Sequence, residues 1–254
     1  MSKKGLLKYE DFGYSMPVTD PAYGEPPYYY RSMEAVSVSF ETDYESVATM
    51  LPEPLTFTND PPVATLMFSN IPFSTFGEYR EAILMFSCQY KGKDYLYLPN
   101  LFVTQEAPML GGREIWGYHK KLAQLEFKHE RNQMTGSAAR PVGTKLFDVT
   151  VTPQVNLKFE DWTNTTLLSL KKIPSCDGKG DDVCQLVGCE YILTPLVGSD
   201  GLAELWSGIG SVSFYSQSND DTWHRAKVKK VISGTYGWFN IHLPYGYIVH
   251  DYLK

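Results

Sequence analysis

The chain has 254 residues, of which 43% are hydrophobic, 14% aromatic and 20% charged, and its formal net charge is −6. This composition excludes collagen-like and disordered chains, and its acidic balance argues against nucleic acid as a partner. No run of about 18 apolar residues occurs, and the N-terminal apolar stretch is shorter than a signal peptide requires. We therefore expect no membrane span and a cytoplasmic location.

The first part of the chain predicts an arm, a strand and a short helix. Residues 1–34 are rich in proline, tyrosine and glycine, and we interpret them as an extended arm around the body of the protein. Residues 35–40 alternate apolar and small polar side chains, which predicts a half-buried strand. Thr42 and Glu45 have the spacing of a helix N-terminus in which each side chain caps a backbone amide, and Pro52 ends that helix.

From residue 63 onward, strand patterns dominate, interrupted by the glycine-containing segment 105–122 and the polar loop 174–182. Predicted strands cover 63–69, 81–90, 94–104, 122–128, 144–152, 186–194, 210–216, 226–232, 235–242 and 246–250. So many strands with few helices predict a β-rich α+β fold, a large antiparallel sheet system closed into a barrel with a few peripheral helices. No linker or repeat divides the chain, so residues 1–254 are expected to form one domain.

Segment 105–122 carries the main chemical signal. The sequence has no glycine-rich phosphate loop and no HExxH or GxSxG motif, and its histidines lack the spacing of metal ligands, so we expect neither cofactor nor metal. Of four lysine pairs, only Lys120-Lys121 follows a glycine-rich break and lies among apolar residues such as Trp116 and Tyr118. Burial or a neighbouring cation favours the neutral amine. That amine can attack a ketone, and the resulting iminium can accept the electrons released as CO2 leaves.

Residues 112–122, Gly-Arg-Glu-Ile-Trp-Gly-Tyr-His-Lys-Lys-Leu, resemble the GRE and KKL segment of the acetoacetate decarboxylase family. Other family features occur in the same order, so that the resemblance covers nearly the whole chain. They are Thr42-Asp43, Pro52-Glu53-Pro54-Leu55, Tyr79-Arg80-Glu81 and the ending Asp251-Tyr252-Leu253-Lys254. The resemblance implies a closed antiparallel barrel around the active site and assembly into a homo-oligomer.

The resemblance also implies roles for individual residues. Lys120 would be the Schiff-base lysine, Lys121 the neighbour that helps to keep its amine neutral, and Glu81 a glutamate that positions substrate or handles a proton. Glu114 matches the motif glutamate, and its alternative role is to support the loop through hydrogen bonds. The candidates for substrate binding are Arg31, Met33, Glu114, Trp116 and Tyr118.

Two departures from the family pattern concern the substrate carboxylate. Met33 stands where the family's decarboxylases carry a pocket arginine, and the second family glutamate is absent from residues 64–67. Arg31 is two residues before Met33, so in a regular strand it would face the same side and could replace the arginine. These changes predict a pocket that is larger or more apolar on one side and less selective for an anion, which puts acetoacetate itself in question.

Three functions fit these observations. The first is decarboxylation of a small β-keto acid through a lysine iminium, and the second is aldol or dehydration chemistry of keto acids such as pyruvate with the same lysine. In the second, a tyrosine such as Tyr118, Tyr247 or Tyr252 would act as acid or base. The third is a noncatalytic β-barrel that binds small apolar molecules.

Overall fold

The structure is a computed structural model that describes residues 2–158, 160 and 164–254. Within this part of the chain, sixteen strands form one sheet. The strands are β1 (Tyr28–Glu41), β2 (Thr56–Phe57), β3 (Val63–Ile71), β4 (Phe73–Ser74), β5 (Tyr79–Tyr90), β6 (Lys93–Val103), β7 (Lys120–Leu122), β8 (Gln124–Glu130), β9 (Gln133–Ala139), β10 (Lys145–Asn156), β11 (Leu167–Pro174), β12 (Asp181–Cys189), β13 (Ile192–Pro195), β14 (Leu205–Phe214), β15 (Lys230–Leu243) and β16 (Tyr247–Asp251).

Helical structure is short throughout the described residues. The α-helices are α1 (Tyr44–Val47) and α2 (Glu106–Gly111), and a π-helical turn, Gly112–Trp116, continues α2. Single 3₁₀ turns occur at Tyr9–Asp11, Ala48–Met50 and Thr222–Arg225. No helix in this part of the chain is long and apolar enough to cross a membrane.

The sheet is mixed, and it is not closed into a barrel. Its strand order is β16-β12-β11-β6-β5-β3-β1-β15-β14-β10-β9-β8, with β2, β4, β7 and β13 paired to single members of that path. Its two ends do not pair with each other, so the prediction of a closed barrel is wrong. The end strand β8 carries Glu126, Lys128 and Glu130, charged side chains that suit an uncovered edge.

The prediction of a purely antiparallel sheet also needs correction, because β6 pairs in parallel with both β7 and β11. The connection from β6 to β7 passes through α2 and the π-helical turn, so the chain re-enters the sheet in its original direction. Such a crossover is what parallel neighbours require. It also places segment 105–122, which contains the lysine pair, at one end of β6.

Apolar side chains on both faces of the central strands hold the sheet together. On β1, Val36, Val38 and Phe40 are fully buried in one cluster, whereas Met33 and Ala35 belong to a second cluster on the opposite face. This division follows from the two-residue period of a strand. The first cluster is the larger core, and the second surrounds the cavity described below.

Candidate active site

A cavity of about 280 Å³ lies between strands at the centre of the sheet. Its apolar lining comprises Met33, Met67, Ile71, Ile83, Met85, Leu96, Leu98, Leu101, Leu167, Leu193, Ile241 and Leu243. Its polar lining comprises Tyr30, Ser37, Ser39, Thr65, Glu81, Tyr118, Lys120, Thr165, Tyr191 and Thr235. Among these described residues, the charged side chains are Lys120 and Glu81. A mostly apolar wall with a few convergent polar groups is typical of a small-molecule site.

The two charged side chains of the cavity form an ion pair. Lys120 Nζ lies 2.6 Å from Glu81 Oε2, and the side chains are 5% and 13% exposed, respectively. Lys120 is the first residue of β7 and pairs with Leu101, while Glu81 lies near the start of β5. Taking two charges out of water is costly. The Glu81 carboxylate compensates the charge of the ammonium and lies within reach of a proton on Nζ.

The glycines before β7 give the lysine side chain its room. A Cβ atom at Gly112 would lie 2.7 Å from Cδ of Lys120, closer than side chains tolerate. Gly117 has a φ of 78°, in the left-handed region, and a Cβ there would lie 2.3 Å from Cα of Lys171. Close packing therefore requires glycine at both positions, at Gly112 against the Lys120 side chain and at Gly117 against the backbone of β11.

Lys121 points away from the cavity. Successive residues of a strand face opposite sides, and Lys121 Nζ donates to the backbone carbonyl of Asp220 and, at 3.0 Å, to Asp221 Oδ1. Asp221 is buried and also accepts from Arg140 Nε at 3.1 Å. The structure thus does not bring the two lysine amines together, and burial beside Glu81 is the feature that distinguishes the environment of Lys120.

Trp116 and Tyr118 lie in different positions relative to the cavity. Tyr118 lines the cavity, and Lys120 Nζ lies 5.7 Å from the centre of its ring. Trp116 is buried behind it, stacked on the Tyr118 ring at 5.5 Å, and its Nε1 donates to the carbonyl of Pro244 at 3.1 Å. Trp116 therefore supports the cavity wall, whereas Tyr118 is in reach of a ligand.

Burial keeps the phenols of the cavity protonated. Desolvation raises the pKa of Tyr118, Tyr30 and Tyr79 well above the usual range. The Tyr79 hydroxyl donates to the Tyr30 hydroxyl at 3.2 Å, and Lys120 Nζ lies 5.7 Å from the Tyr79 ring centre. Sequence reasoning did not single out Tyr30, and it named Tyr79 only as part of the Tyr79-Arg80-Glu81 motif, without a role of its own. The position of Tyr79 two residues before Glu81, on the same strand face, is the signal that could have identified it.

Glu114 supports the loop, as its alternative role predicted. The Tyr23 hydroxyl donates to Glu114 Oε2, and this bond ties the N-terminal arm to the π-helical turn. Glu114 does not line the cavity. Arg113 acts in a similar way, because its Nη1 donates to the backbone carbonyl of Lys120 at 3.3 Å.

Arg31 and Met33 do not share a strand face, so the prediction that Arg31 replaces the family's pocket arginine from the same side as Met33 is wrong. Met33 is 2% exposed and lines the cavity, while Arg31 is exposed and its Nη1 donates to the carbonyl of Tyr30. The cause is a bulge: the β1–β15 register shifts between Tyr30 and Met33, and Ser32 has a φ of 52°. The extra residue turns Tyr30 toward the cavity in place of Arg31.

The acetoacetate decarboxylase family model matches residues 15–253. Acetoacetate decarboxylase 1 of Bradyrhizobium diazoefficiens is 31% identical over 259 residues, covering 97% of this chain and 98% of the relative. The crystal structure of acetoacetate decarboxylase from Legionella pneumophila superposes with a TM-score of 0.85 at 27% identity, covering 100% of both chains. The chain therefore belongs to the acetoacetate decarboxylase family.

Proposed function

We propose that this protein is a lyase that decarboxylates a β-keto acid through a Schiff base at Lys120. The observation that carries the proposal is the amine of Lys120, buried in an apolar cavity within 2.6 Å of a carboxylate. Family membership supports decarboxylation as the reaction, since the curated relatives are acetoacetate decarboxylases. The chemistry requires no metal and no nucleotide.

The proposed reaction begins with proton transfer from Lys120 Nζ to Glu81. The neutral amine adds to the substrate ketone, and loss of water gives an iminium. The bond between the α-carbon and the carboxylate then breaks, and its electron pair moves into the iminium to give an enamine while CO2 leaves. Protonation of the enamine carbon and addition of water release the ketone product and the free amine, so that one proton is consumed for each CO2.

Protonated groups around the amine are suited to the proton-transfer steps. Glu81 holds the proton taken from Lys120 and can return it to the enamine carbon. The Tyr118 and Tyr30 phenols, which burial keeps neutral, can donate hydrogen bonds to the oxygen of the adding carbonyl. Lys121 contributes by anchoring β7 to Asp221 on the opposite face.

Aldol or dehydration chemistry with the same lysine remains the second candidate. One observation supports it: the buried Lys120 amine and the Glu81 carboxylate 2.6 Å away are the nucleophile and proton acceptor that this chemistry also needs. The two reactions differ in one product, because only decarboxylation releases CO2.

Borohydride trapping tests both candidates. The protein is incubated with a β-keto acid, reduced, digested and mapped by mass spectrometry, while CO2 release is followed against an enzyme-free blank. We expect an adduct at Lys120 and CO2 release, both lost in Lys120→Ala and retained in the control Lys128→Ala, which changes an exposed lysine. An adduct without CO2 would favour aldol chemistry, and no adduct at Lys120 would contradict both candidates.

We also propose that the protein assembles into a homo-oligomer. The N-terminal arm exposes large apolar side chains, with Leu6 88%, Tyr9 85% and Phe12 44% exposed. Exposed apolar patches of this kind are typical of association surfaces. Light scattering of the full chain is expected to give a multiple of 28.8 kDa, and deletion of residues 2–12 to reduce it. A full chain that is monomeric at micromolar concentration would contradict the proposal.

A further inference from the structure

The cavity is larger than a four-carbon keto acid requires. An apolar cavity of about 150 Å³ holds benzene, which has six heavy atoms. Acetoacetate has seven heavy atoms, and the cavity here measures about 280 Å³. By this comparison, the cavity accommodates about eleven or twelve heavy atoms, so a bound acetoacetate would leave more than a third of it empty.

The reacting amine lies at the more buried end of this cavity, whereas Ser37, Ser39 and Thr65 of its lining are partly exposed. Lys120 Nζ contacts Glu81 and lies 5.7 Å from the Tyr79 ring centre. Tyr79 pairs with Ile71, and both are almost fully buried. A ketone that bonds to Lys120 therefore has its reacting carbon at this buried end, and the rest of the substrate extends along the strands.

Apolar side chains of β5 line one side of the path from the amine to the partly exposed end. Glu81, Ile83 and Met85 alternate along one face of β5, and from Glu81 to Met85 this face extends about 13 Å. Met67 lies opposite Ile83 on the neighbouring strand β3. At the far end, Thr65 is paired with Met85, and its hydroxyl bonds to that of Ser39 at 2.8 Å.

Charge along this path is confined to the buried end. Among the described lining residues, Lys120 and Glu81 alone are charged, the hydroxyls of Ser39 and Thr65 bond to each other, and Ser37 and Thr235 supply two further hydroxyls. A second carboxylate or a phosphate on the substrate would find no positively charged partner there and would be desolvated at a cost. An alkyl chain meets methionine and leucine side chains, of which methionine adapts most easily to a flexible ligand.

We infer that the preferred substrate is a medium-chain β-keto acid, a 3-oxo acid of about eight or nine carbons whose alkyl tail lies along Ile83, Met67 and Met85. This inference rests on the proposed function, and it identifies Met67 and Met85 as determinants of chain length. Acetoacetate is a poor substrate on this account, because it leaves the tail channel unfilled.

A chain-length series provides the main test. CO2 release is measured for straight-chain 3-oxo acids from about four to about ten carbons, each corrected for spontaneous decarboxylation. We expect kcat/KM to rise about fourfold with each methylene up to about eight carbons, the factor that corresponds to ~0.8 kcal/mol for each buried CH2. A kcat/KM that is equal or higher for acetoacetate, with Lys120 trapped by both substrates, would overturn the inference and leave the proposed function standing.

Two variants and a control connect the preference to the channel. Met67→Trp fills the channel and is expected to lower the ratio of kcat/KM for the eight-carbon acid to that for acetoacetate by at least tenfold. Met85→Ala enlarges the channel and shifts the optimum to longer chains. The control Ile209→Trp changes an exposed residue of β14 and leaves the ratio unchanged. Thermal unfolding confirms that each variant is folded, and an unchanged ratio in folded Met67→Trp would contradict the assignment.

Binding of the product ketones separates channel size from catalysis. We expect calorimetry to show that heptan-2-one binds more tightly than acetone, and that Met67→Trp removes the difference. If heptan-2-one binds more tightly but no 3-oxo acid releases CO2, the assignment of the tail channel is supported and the proposed function is contradicted. Equal binding of the two ketones would overturn the channel.

Discussion

The side chain of Lys120 passes directly over Gly112. A methyl group at Gly112 would lie 2.7 Å from Cδ and 3.0 Å from Cε of Lys120. The π-helical turn that contains this glycine therefore packs directly against the side chain of the lysine. The contact fixes the direction in which the lysine side chain enters the cavity, toward Glu81.

Gly112→Ala tests this relationship. The added methyl group displaces the Lys120 side chain from the Glu81 carboxylate, and misplacement of a reacting group by about 1 Å costs roughly 10²-fold in rate. We expect kcat to fall by about that factor, with slower borohydride trapping at Lys120. The control Gly5→Ala changes an exposed glycine with open space around it. If folded Gly112→Ala keeps an activity within twofold of that of the parent protein, the Lys120 side chain can move aside without a loss of rate, and the prediction is wrong.

Glu81→Gln removes the proton acceptor while keeping the shape of the side chain. A positioned acid or base typically contributes about 10²–10⁴-fold to a rate, so we expect kcat to fall by at least about 10²-fold. The change also leaves the buried ammonium of Lys120 without its counter-charge, and breaking such a pair costs ~3–5 kcal/mol of stability if the charge persists. Chemical denaturation and trapping measure the two effects. Normal turnover in Glu81→Gln would assign the proton transfers to other groups.

Lys121→Ala distinguishes burial from charge as the cause of Lys120 reactivity. Because Lys121 Nζ bonds to Asp221 on the opposite face of β7, we expect a loss of ~0.2–1 kcal/mol in stability, typical of a partly exposed pair. The rate of trapping at Lys120 is expected to change by less than about threefold. A loss of 10²-fold at unchanged stability, restored in Lys121→Arg, would instead show that the second positive charge activates the first lysine.

Cysteine alkylation probes the interior without a substitution. Burial raises the pKa of Cys189 to about 11 and that of Cys88 to about 12, above their usual value of 9.0. The reactive thiolate is therefore scarcer in the folded chain than in the unfolded chain between about pH 8 and pH 10. With iodoacetamide at pH 8, mass spectrometry should find the exposed Cys176 modified while Cys88 and Cys189 stay unmodified until denaturant is added. Rapid modification of Cys189 in the native protein would mean that the cavity wall opens.

The sequence predicted the strands better than their arrangement. Alternation identified β3, β5 and β6 to within a few residues, because each buries alternate side chains on a face. It missed β7, because residues 120–121 were assigned to the glycine-containing segment, and it began the next strand at residue 122, two residues before β8. The prediction of a purely antiparallel sheet failed for a similar reason: the parallel crossover into β7 depends on the path of the chain outside the strands.

The sequence also predicted some residues of the candidate site and missed others. Lys120 and Glu81 lie 39 positions apart in sequence, and their resemblance to the family motifs was enough to place them together, which the structure confirms with a 2.6 Å contact. The helix cap was assigned to Thr42, yet the N-cap is Asp43 and the buried Thr42 hydroxyl is without a bonding partner. Tyr30 was missed because it lies in a proline-rich stretch that was interpreted as an arm, whereas β1 already begins at Tyr28.

The bulge at Ser32 shows that the polarity of this cavity is set partly by the backbone. One extra residue in β1 exchanges a guanidinium for a phenol on the inner face, without any change of side-chain identity at the two positions. A scan that substitutes Arg31 would therefore report on the outer surface of the protein. An engineer who wants an anion-selective pocket on this scaffold should place the arginine at position 30, in place of Tyr30.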